Sequence, residues 1–403
     1  LNIGKEILDK LNILSKISEP SKGVTRLYLT KEYLEARNII ENWMKEIGLT
    51  TKIDGVGNLI GEYKSNNLKA KTLVMGSHQD SVEDGGKFDG ILGVILPIVC
   101  IKNLLKKYEE LNCNIKIISF AYEEGTTYGA ACLTSKAIAG TFKESLLELE
   151  YKGKKLNDAM KKYGFDPQKI DECKFKREDI DTFLEVHIEQ GPVLEYENLS
   201  VGIVTAIQSC NRYLINIKGQ AGHSGTIPMK MRKDAVAVMA EIIYKSTKLA
   251  EELGEMVLTF GKISVIPGAV NVIPGETEFT IDIRAMKNKI LIDTMKKIEN
   301  IIKEVTESKK MVYSIKMTNE IMETACSSKV IKDLEKSFIR QNTPIFKLPS
   351  GAGHDAQEMA NIADMGMLFV RCIDGISHNP IEDVREKDLD AAGNIIMDYI
   401  YNF

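Results

Sequence analysis

Five histidines are spread over 403 residues, each in a short polar or glycine-containing segment. They are Gly76-Ser77-His78-Gln79-Asp80, Glu185-Val186-His187-Ile188-Glu189-Gln190-Gly191, Ala221-Gly222-His223-Ser224-Gly225, Gly351-Ala352-Gly353-His354-Asp355 and Gly375-Ile376-Ser377-His378-Asn379. A lone histidine of this kind more often packs than reacts. His78, His187 and His378, however, each follow or end an apolar run that reads as a strand, so they would converge on one rim. Asp80 stands two residues from His78, the spacing at which a carboxylate can orient a metal-binding imidazole. Asp89 lies in the turn Gly85-Gly86-Lys87-Phe88-Asp89-Gly90, where its plainest reading is a helix N-cap. Glu123 and Glu124 are adjacent, just past Ile115–Phe120. Two such carboxylates repel, and burial would raise their pKa values unless cations were present. A pair of divalent metals removes that objection: three imidazoles, Asp89 and one Glu form a mixed nitrogen and oxygen ligand set. The other Glu then takes a proton from water, and alternate side-chain directions at a strand end would separate the two roles.

The elements that must position these groups can be read from the pattern of apolar residues. The runs Lys71–Met75, Ile115–Ala121, Thr182–Val186 and Met367–Val370 end abruptly at polar or Gly-rich loops, with helical patterns at Ile91–Tyr108 and Ile331–Gln341. Continuous apolar strands imply burial on both faces, hence a largely parallel sheet covered by helices. Functional groups of such sheets collect past the carboxyl ends of the strands. The middle of the chain differs. Arg212–Lys218, Val257–Ile266, Glu276–Arg284 and Met311–Met317 read as strands, and Met231–Leu253 and Lys287–Ser308 as helices. That order, β-α-β-β-α-β, is that of a ferredoxin-like unit. The expected fold is α/β: a mostly parallel-sheet domain over residues 1–210 and 325–403, interrupted by an inserted unit over 211–324.

Gross composition is consistent with this. The chain is 44% hydrophobic and 27% charged, ordinary for a soluble globular protein of two domains. A net charge of -4 argues against nucleic acid as a partner. Lysines are interspersed with Glu, as over Lys102–Glu110, which reads as a solvated helix face. Seven cysteines (Cys100, Cys113, Cys132, Cys173, Cys210, Cys326 and Cys372) form no C-x-x-C pair, which fits a reducing, cytoplasmic setting. Leu1–Ser18 has the pattern of an amphipathic helix rather than a signal peptide, and no run reaches the roughly 18 apolar residues of a membrane span.

Several motifs together carry a resemblance. Gly76-Ser77-His78-Gln79-Asp80-Ser81-Val82, Gly85–Gly90, Glu123-Glu124-Gly125 and His187-Ile188-Glu189-Gln190-Gly191-Pro192 resemble the M20 family of di-metal hydrolases. The likeness is closest to its amidohydrolase branch, the N-carbamoyl-L-amino-acid hydrolases, allantoate amidohydrolases and beta-ureidopropionases. Ala221–Met229, Val270–Gly275, Ser350–Ala356 and Gly375–Pro380 match in the same order, so the resemblance spans roughly residues 20–400.

The resemblance implies a role for each matched residue. His78, Asp89 and His187 would hold one metal and Asp89, Glu124 and His378 the other, with Asp89 bridging. Glu123 would be the general base, Asp80 would orient His78, and His223 would stabilise the oxyanion, reaching the neighbouring subunit's site in a homodimer formed through the inserted lid domain. Arg284 and Asn271 would hold a substrate carboxylate, for which the guanidinium fork is suited. Gln190 would meet the ureido end, Arg212 would be a weaker contact, and Gly353 would approach through its backbone. The implied reaction is hydrolysis of a linear, non-peptide carbon-nitrogen bond in a carbamoyl amino acid or allantoate. The ligand set accepts zinc, manganese, cobalt or nickel. Two rivals follow: a peptidase or N-acyl amino acid deacylase of the same family, and a non-catalytic relative. His187 weighs against the former, since peptidases of the family commonly have a carboxylate there.

Overall fold

A computed structural model describes residues 2–403. Leu1 lies outside the described residues, and the amphipathic pattern that follows forms the helix Ile3–Leu14. The chain divides into two compact units, one running to Thr205 and resuming over Ala325–Phe403, the other Ala206–Thr324. The first boundary falls before the residue 211 expected from sequence, because the long strand of the second unit begins at Ser209, where it already pairs with Ala285.

In the first unit four strands lie side by side and parallel: Asn114–Phe120, Thr72–His78, Thr182–Ile188 and Asp364–Val370. All seven residues of Thr182–Ile188 are buried, as a strand covered on both faces requires. The flanks are antiparallel. Thr50–Ile53 and Leu59–Tyr63 extend one side, and Val201–Ile207 pairs antiparallel with Asp364–Val370 on the other. The apolar runs do not include these strands: Thr50–Ile53 and Leu59–Tyr63 are short and carry polar residues, whereas Val201–Ile207 is as apolar as the central strands and went unread. Helix Ile91–Lys107 is apolar almost all round, and its buried residues include every position from Ile91 to Ile101. The Glu386–Tyr401 helix packs on it and on Ile3–Leu14. A fully buried bidentate pair, Arg371 Nη2 to Asp388 Oδ1 (2.6 Å) and Nε to Oδ2 (2.9 Å), fastens the end of Asp364–Val370 to that last helix.

The second unit has the element order β-α-β-β-α-β, with strands Ser209–Lys218, Met256–Ile266, Glu276–Ala285 and Val312–Ile321 and helices Ala235–Leu253 and Asn288–Ser308. The second strand is broken into Met256–Thr259 and Ile263–Ile266, both paired with Glu276–Ala285. In space the strands stand in the order fourth, first, third, second, all antiparallel. One face buries Tyr213, Ile215, Ile217, Phe279, Ile281 and Ile283 against both helices, the period-two alternation that the sequence displays. A small additional antiparallel ladder pairs His223 with Val272. Among the described residues, no helix is long and apolar enough to cross a membrane, and all seven cysteines are unpaired.

Candidate metal centre

Because the four central strands are parallel, their carboxyl ends share one rim. His78 is the last residue of its strand and His187 the penultimate residue of the next. His378 arrives differently, on a loop well past Val370 and just after the short 3-10 turn Ile373–Gly375. Asp89 is not the N-cap of the helix that follows. Gly90 takes that position without a side-chain cap bond, so the Asp89 carboxylate is directed elsewhere.

Two groups of three ligand atoms result, each within 4.8 Å of one another: His78, Asp89 and His187, and Asp89, Glu124 and His378. Asp89 belongs to both. Its Oδ1 lies 3.2 Å from His187 Nε2 and 3.9 Å from His78 Nε2, and its Oδ2 lies 3.0 Å from His378 Nε2. Gly90 holds φ +66° while packing so closely on His78 that a Cβ would meet the imidazole at 2.3 Å, so no side chain is tolerated there.

The imidazoles are set by their second nitrogens. His78 Nδ1 is 2.9 Å from the Asp80 main-chain oxygen and His187 Nδ1 is 2.8 Å from that of Ile188, so both present Nε2 lone pairs toward Asp89. The expected link from the Asp80 carboxylate to His78 is the longer contact, at 3.5 Å. That carboxylate instead accepts the backbone N–H groups of Glu123 (3.0 Å) and Glu124 (3.2 Å). The two glutamates therefore stand on a loop beyond Phe120, pinned by Asp80, and strand alternation does not separate them. Glu123 Oε2 faces His78 Nε2 at 4.0 Å, and its Oε1 accepts the Cys132 thiol at 3.3 Å. Glu124 Oε2 faces His378 Nε2 at 3.8 Å, and its Oε1 is buried with no hydrogen-bond partner.

Electrostatics fit a cationic occupant. Burial pushes both Glu123 and Glu124 above the usual carboxylate range, Glu124 well above it, with Asp89 adding repulsion at Glu124. Burial works against charge on His78, yet the carboxylates of Asp80, Glu123 and Glu124 raise its pKa well above the ordinary value. A buried orphan oxygen, two lone-pair-forward imidazoles and crowded carboxylates form a donor set suited to divalent transition metals. Glu185, His187 and His354 also lie close together. That group is already satisfied: Glu185 accepts from Ser77 Oγ (2.6 Å) and Ala356 N (2.9 Å), and His354 Nε2 meets Ser350 Oγ at 2.8 Å. Burial and the neighbouring His187 hold His354 well below its usual pKa, so it is a neutral packing partner, its ring 4.5 Å from that of His187. A cavity of about 1080 Å³ bordered by Tyr28, Thr127 and Tyr128 contains none of the five ligands.

Gln190 reaches the centre: its Nε2 is 3.0 Å from Asp89 Oδ2 and 3.3 Å from His378 Nε2. Gln190 (φ 56°) and His378 (φ 53°) both occupy the left-handed region, strain of the kind that collects at functional sites. Gly353 is exposed beside buried His354. Sequence reasoning missed Ser377, Glu382 and Cys132. Ser377 adjoins His378 and donates to Glu382 Oε2 at 2.7 Å, and nothing in a local pattern marks the pair.

The remaining expected residues lie in the second unit. Arg212 and Arg284 converge on Asp282: Arg212 Nε meets Oδ2 at 2.8 Å, and Arg284 Nε meets Oδ1 at 2.8 Å. Asn271 accepts the Ser224 N–H (3.1 Å) next to His223. His223 Nδ1 accepts the Gly225 N–H (3.0 Å), which leaves Nε2 of the exposed ring as the nitrogen that can donate.

Comparison with known proteins places the chain in a family. Residues 74–402 match the model for peptidase family M20/M25/M40. The chain is 34% identical to an N-carbamoyl-L-amino acid amidohydrolase of Geobacillus stearothermophilus over 99% of its length and 98% of the relative's. It is also 34% identical to the allantoate amidohydrolase of Escherichia coli, over 92% and 91%. The crystal structure of a hydantoinase/carbamoylase family amidase from Burkholderia multivorans superposes with a TM-score of 0.90 at 30% identity, covering 99% of this chain and 97% of that one.

Proposed function

Since the chain belongs to peptidase family M20/M25/M40, we propose that it is a di-metal amidohydrolase that cleaves a linear, non-peptide carbon-nitrogen bond of an N-carbamoyl-L-amino acid or of allantoate. The observation that carries this reading is the pair of ligand groups sharing Asp89, with Glu123 unused by either. His78, Asp89 and His187 would hold one divalent ion, and Asp89, Glu124 and His378 the other, with zinc or manganese the first candidates and cobalt or nickel also compatible. Bound there, the ions supply the positive charge that acidifies a water and polarises a carbonyl.

The chain's own residues do the rest. Glu123 takes the water's proton on Oε2 while Cys132 holds Oε1, then returns it to the leaving nitrogen. His223 donates from Nε2–H to the developing oxyanion. Arg284 and Asn271 bind the substrate carboxylate, with Arg212 a weaker contact. Asp282, which already grips both arginines, keeps their side chains ordered. Gln190 orients the ureido group, and Gly353 presents backbone. A carbamoyl substrate yields ammonia, carbon dioxide and the free amino acid. The Ala206–Thr324 unit is assigned the lid and the homodimer contact, supported by exposed Val257, Ile263 and Ile266 along one edge of its sheet. Seven unpaired cysteines support a cytoplasmic location.

The test is ammonia release by the manganese-loaded protein from allantoate and from a panel of N-carbamoyl-L-amino acids, beside release of the free amino acid from dipeptides and N-acyl amino acids. Turnover confined to dipeptides or acyl substrates would transfer the assignment to the peptidase or deacylase reading. Metal uptake without turnover on any of them would favour a non-catalytic relative.

A further inference from the structure

We propose that Glu382 is a positioning residue that clamps the Asp89 turn to the His378 loop and thereby sets the separation of the two ligands at one of the metals. The inference rests on the two-metal reading above. Glu382 is fully buried, and its carboxylate hydrogen-bonds to both of these segments. Oε1 accepts the backbone N–H groups of Phe88 (2.9 Å) and Asp89 (3.1 Å), and Oε2 accepts the Ser377 hydroxyl (2.7 Å). The Ser377 oxygen is in turn 3.3 Å from Asp89 Oδ2. The Glu382 N–H closes a turn on the Asn379 carbonyl (3.0 Å), so the clamp is rooted in the segment that follows His378 directly. The fit is close enough to dictate a neighbour: a Cβ on Gly86 would come within 2.0 Å of the Glu382 carboxyl carbon.

The two ligand groups depend on this clamp unequally. His78 and His187 are buried on adjacent strands of one sheet, which fixes them without help from Glu382. His378 has a side chain 49% exposed, a left-handed backbone and a place on a loop, so the sheet does not hold it. Removing the clamp should therefore loosen the Asp89–Glu124–His378 group most, and the His78–Asp89–His187 group, which shares only Asp89 with it and keeps two imidazoles held by the sheet, by less.

The test is calorimetric titration of cobalt into the metal-free full-length protein, followed by the visible absorption of the bound ion. The parent is expected to take up two equivalents. In Glu382→Ala one equivalent should weaken about 10–100-fold, the usual consequence of losing a partner that orients a ligand, and the other by clearly less. Glu382→Gln should restore the weakened equivalent, because its amide oxygen still accepts the two N–H groups and its NH2 can donate to Ser377. Ser377→Ala, which leaves the buried carboxylate in place, should weaken the same equivalent by less and carries the test if Glu382→Ala does not fold. Unchanged affinities in Glu382→Ala or Ser377→Ala, equal weakening of both equivalents, or a Gln variant as defective as Ala would overturn the clamp. A parent that takes up fewer than two equivalents would overturn the two-metal reading itself, and the clamp with it.

Discussion

Asp80→Asn is the sharpest perturbation the centre offers, since it changes one atom of a fully buried side chain. The carboxylate accepts two backbone N–H groups, from Glu123 and Glu124, and the amide can accept through one oxygen only. One of these bonds is lost outright, with an NH2 group left facing a buried N–H. The other falls from a charged to a neutral acceptor. At about 1.5–3 kcal/mol for a hydrogen bond to a charged group and about 1 kcal/mol for a neutral one, the expected loss is about 2–5 kcal/mol. A further contribution has the same sign. Burial pushes the Arg26 guanidinium down to about 10, and the Asp80 charge opposes that shift, so its removal leaves a buried cation less well balanced. Catalysis should suffer separately, because the freed N–H turns Glu123 out of line, and misplacement by about 1 Å costs roughly 100-fold. Urea unfolding of the metal-free protein measures the first effect and kcat of the manganese-loaded protein the second. Stability within about 0.5 kcal/mol of the parent, the range of a neutral surface change, together with an unaltered kcat would refute the pinning role.

Other expectations follow from the same contacts. Glu123→Gln should abolish turnover while both metals remain bound. Metal loss in that variant, read by elemental analysis, would mean that the roles of Glu123 and Glu124 are exchanged. Chelation should abolish activity and lower the melting temperature, since metal at 100 times its Kd stabilises by about 2.7 kcal/mol per site; equal melting curves with and without metal would contradict a centre crowded with carboxylates. In the second unit, burial tends to raise the pKa of Asp282, but hydrogen bonds from Arg284 and Arg212 prevail and hold it below its usual 3.8. Its contribution to stability is thus present above pH 3.8 and lost as pH falls through the lower folded value. Asp282→Asn should accordingly lower the melting temperature at neutral pH, with the gap closing in acid. Asp388→Ala leaves the buried Arg371 unpaired and should cost about 3–5 kcal/mol by chemical denaturation, whereas replacing both partners with apolar residues should cost less.

What sequence could reveal follows from how each residue is held. The parallel core was legible because strands such as Thr182–Ile188 are buried on both faces and so are apolar without interruption. His78 and His187 were legible with it, since a residue at the end of such a strand inherits its place from the sheet. The antiparallel edges were not, because Thr50–Ile53 and Leu59–Tyr63 are short, and the former is largely exposed. The second unit alternates with period two, so its order could be read, but the convergence of Arg212 and Arg284 on Asp282 depends on register across two strands. Glu123 and Glu124 show the limit most clearly. Their types and adjacency announced a division of labour, but its cause was misplaced. The strand ends at Phe120, and it is Asp80, more than forty residues earlier, that takes both backbone N–H groups and turns one carboxylate toward His78 and the other toward His378. Glu382 acts in the same way over a still longer separation, taking the N–H groups of the Asp89 turn. Ligands at such a rim carry a signature of residue type, whereas the carboxylates that hold the rim's loops are chosen by backbone donors with no sequence signature. Asp80 could be read as a residue but not by its peptide partners, and Glu382, which acts only through such partners and Ser377, could not be read at all.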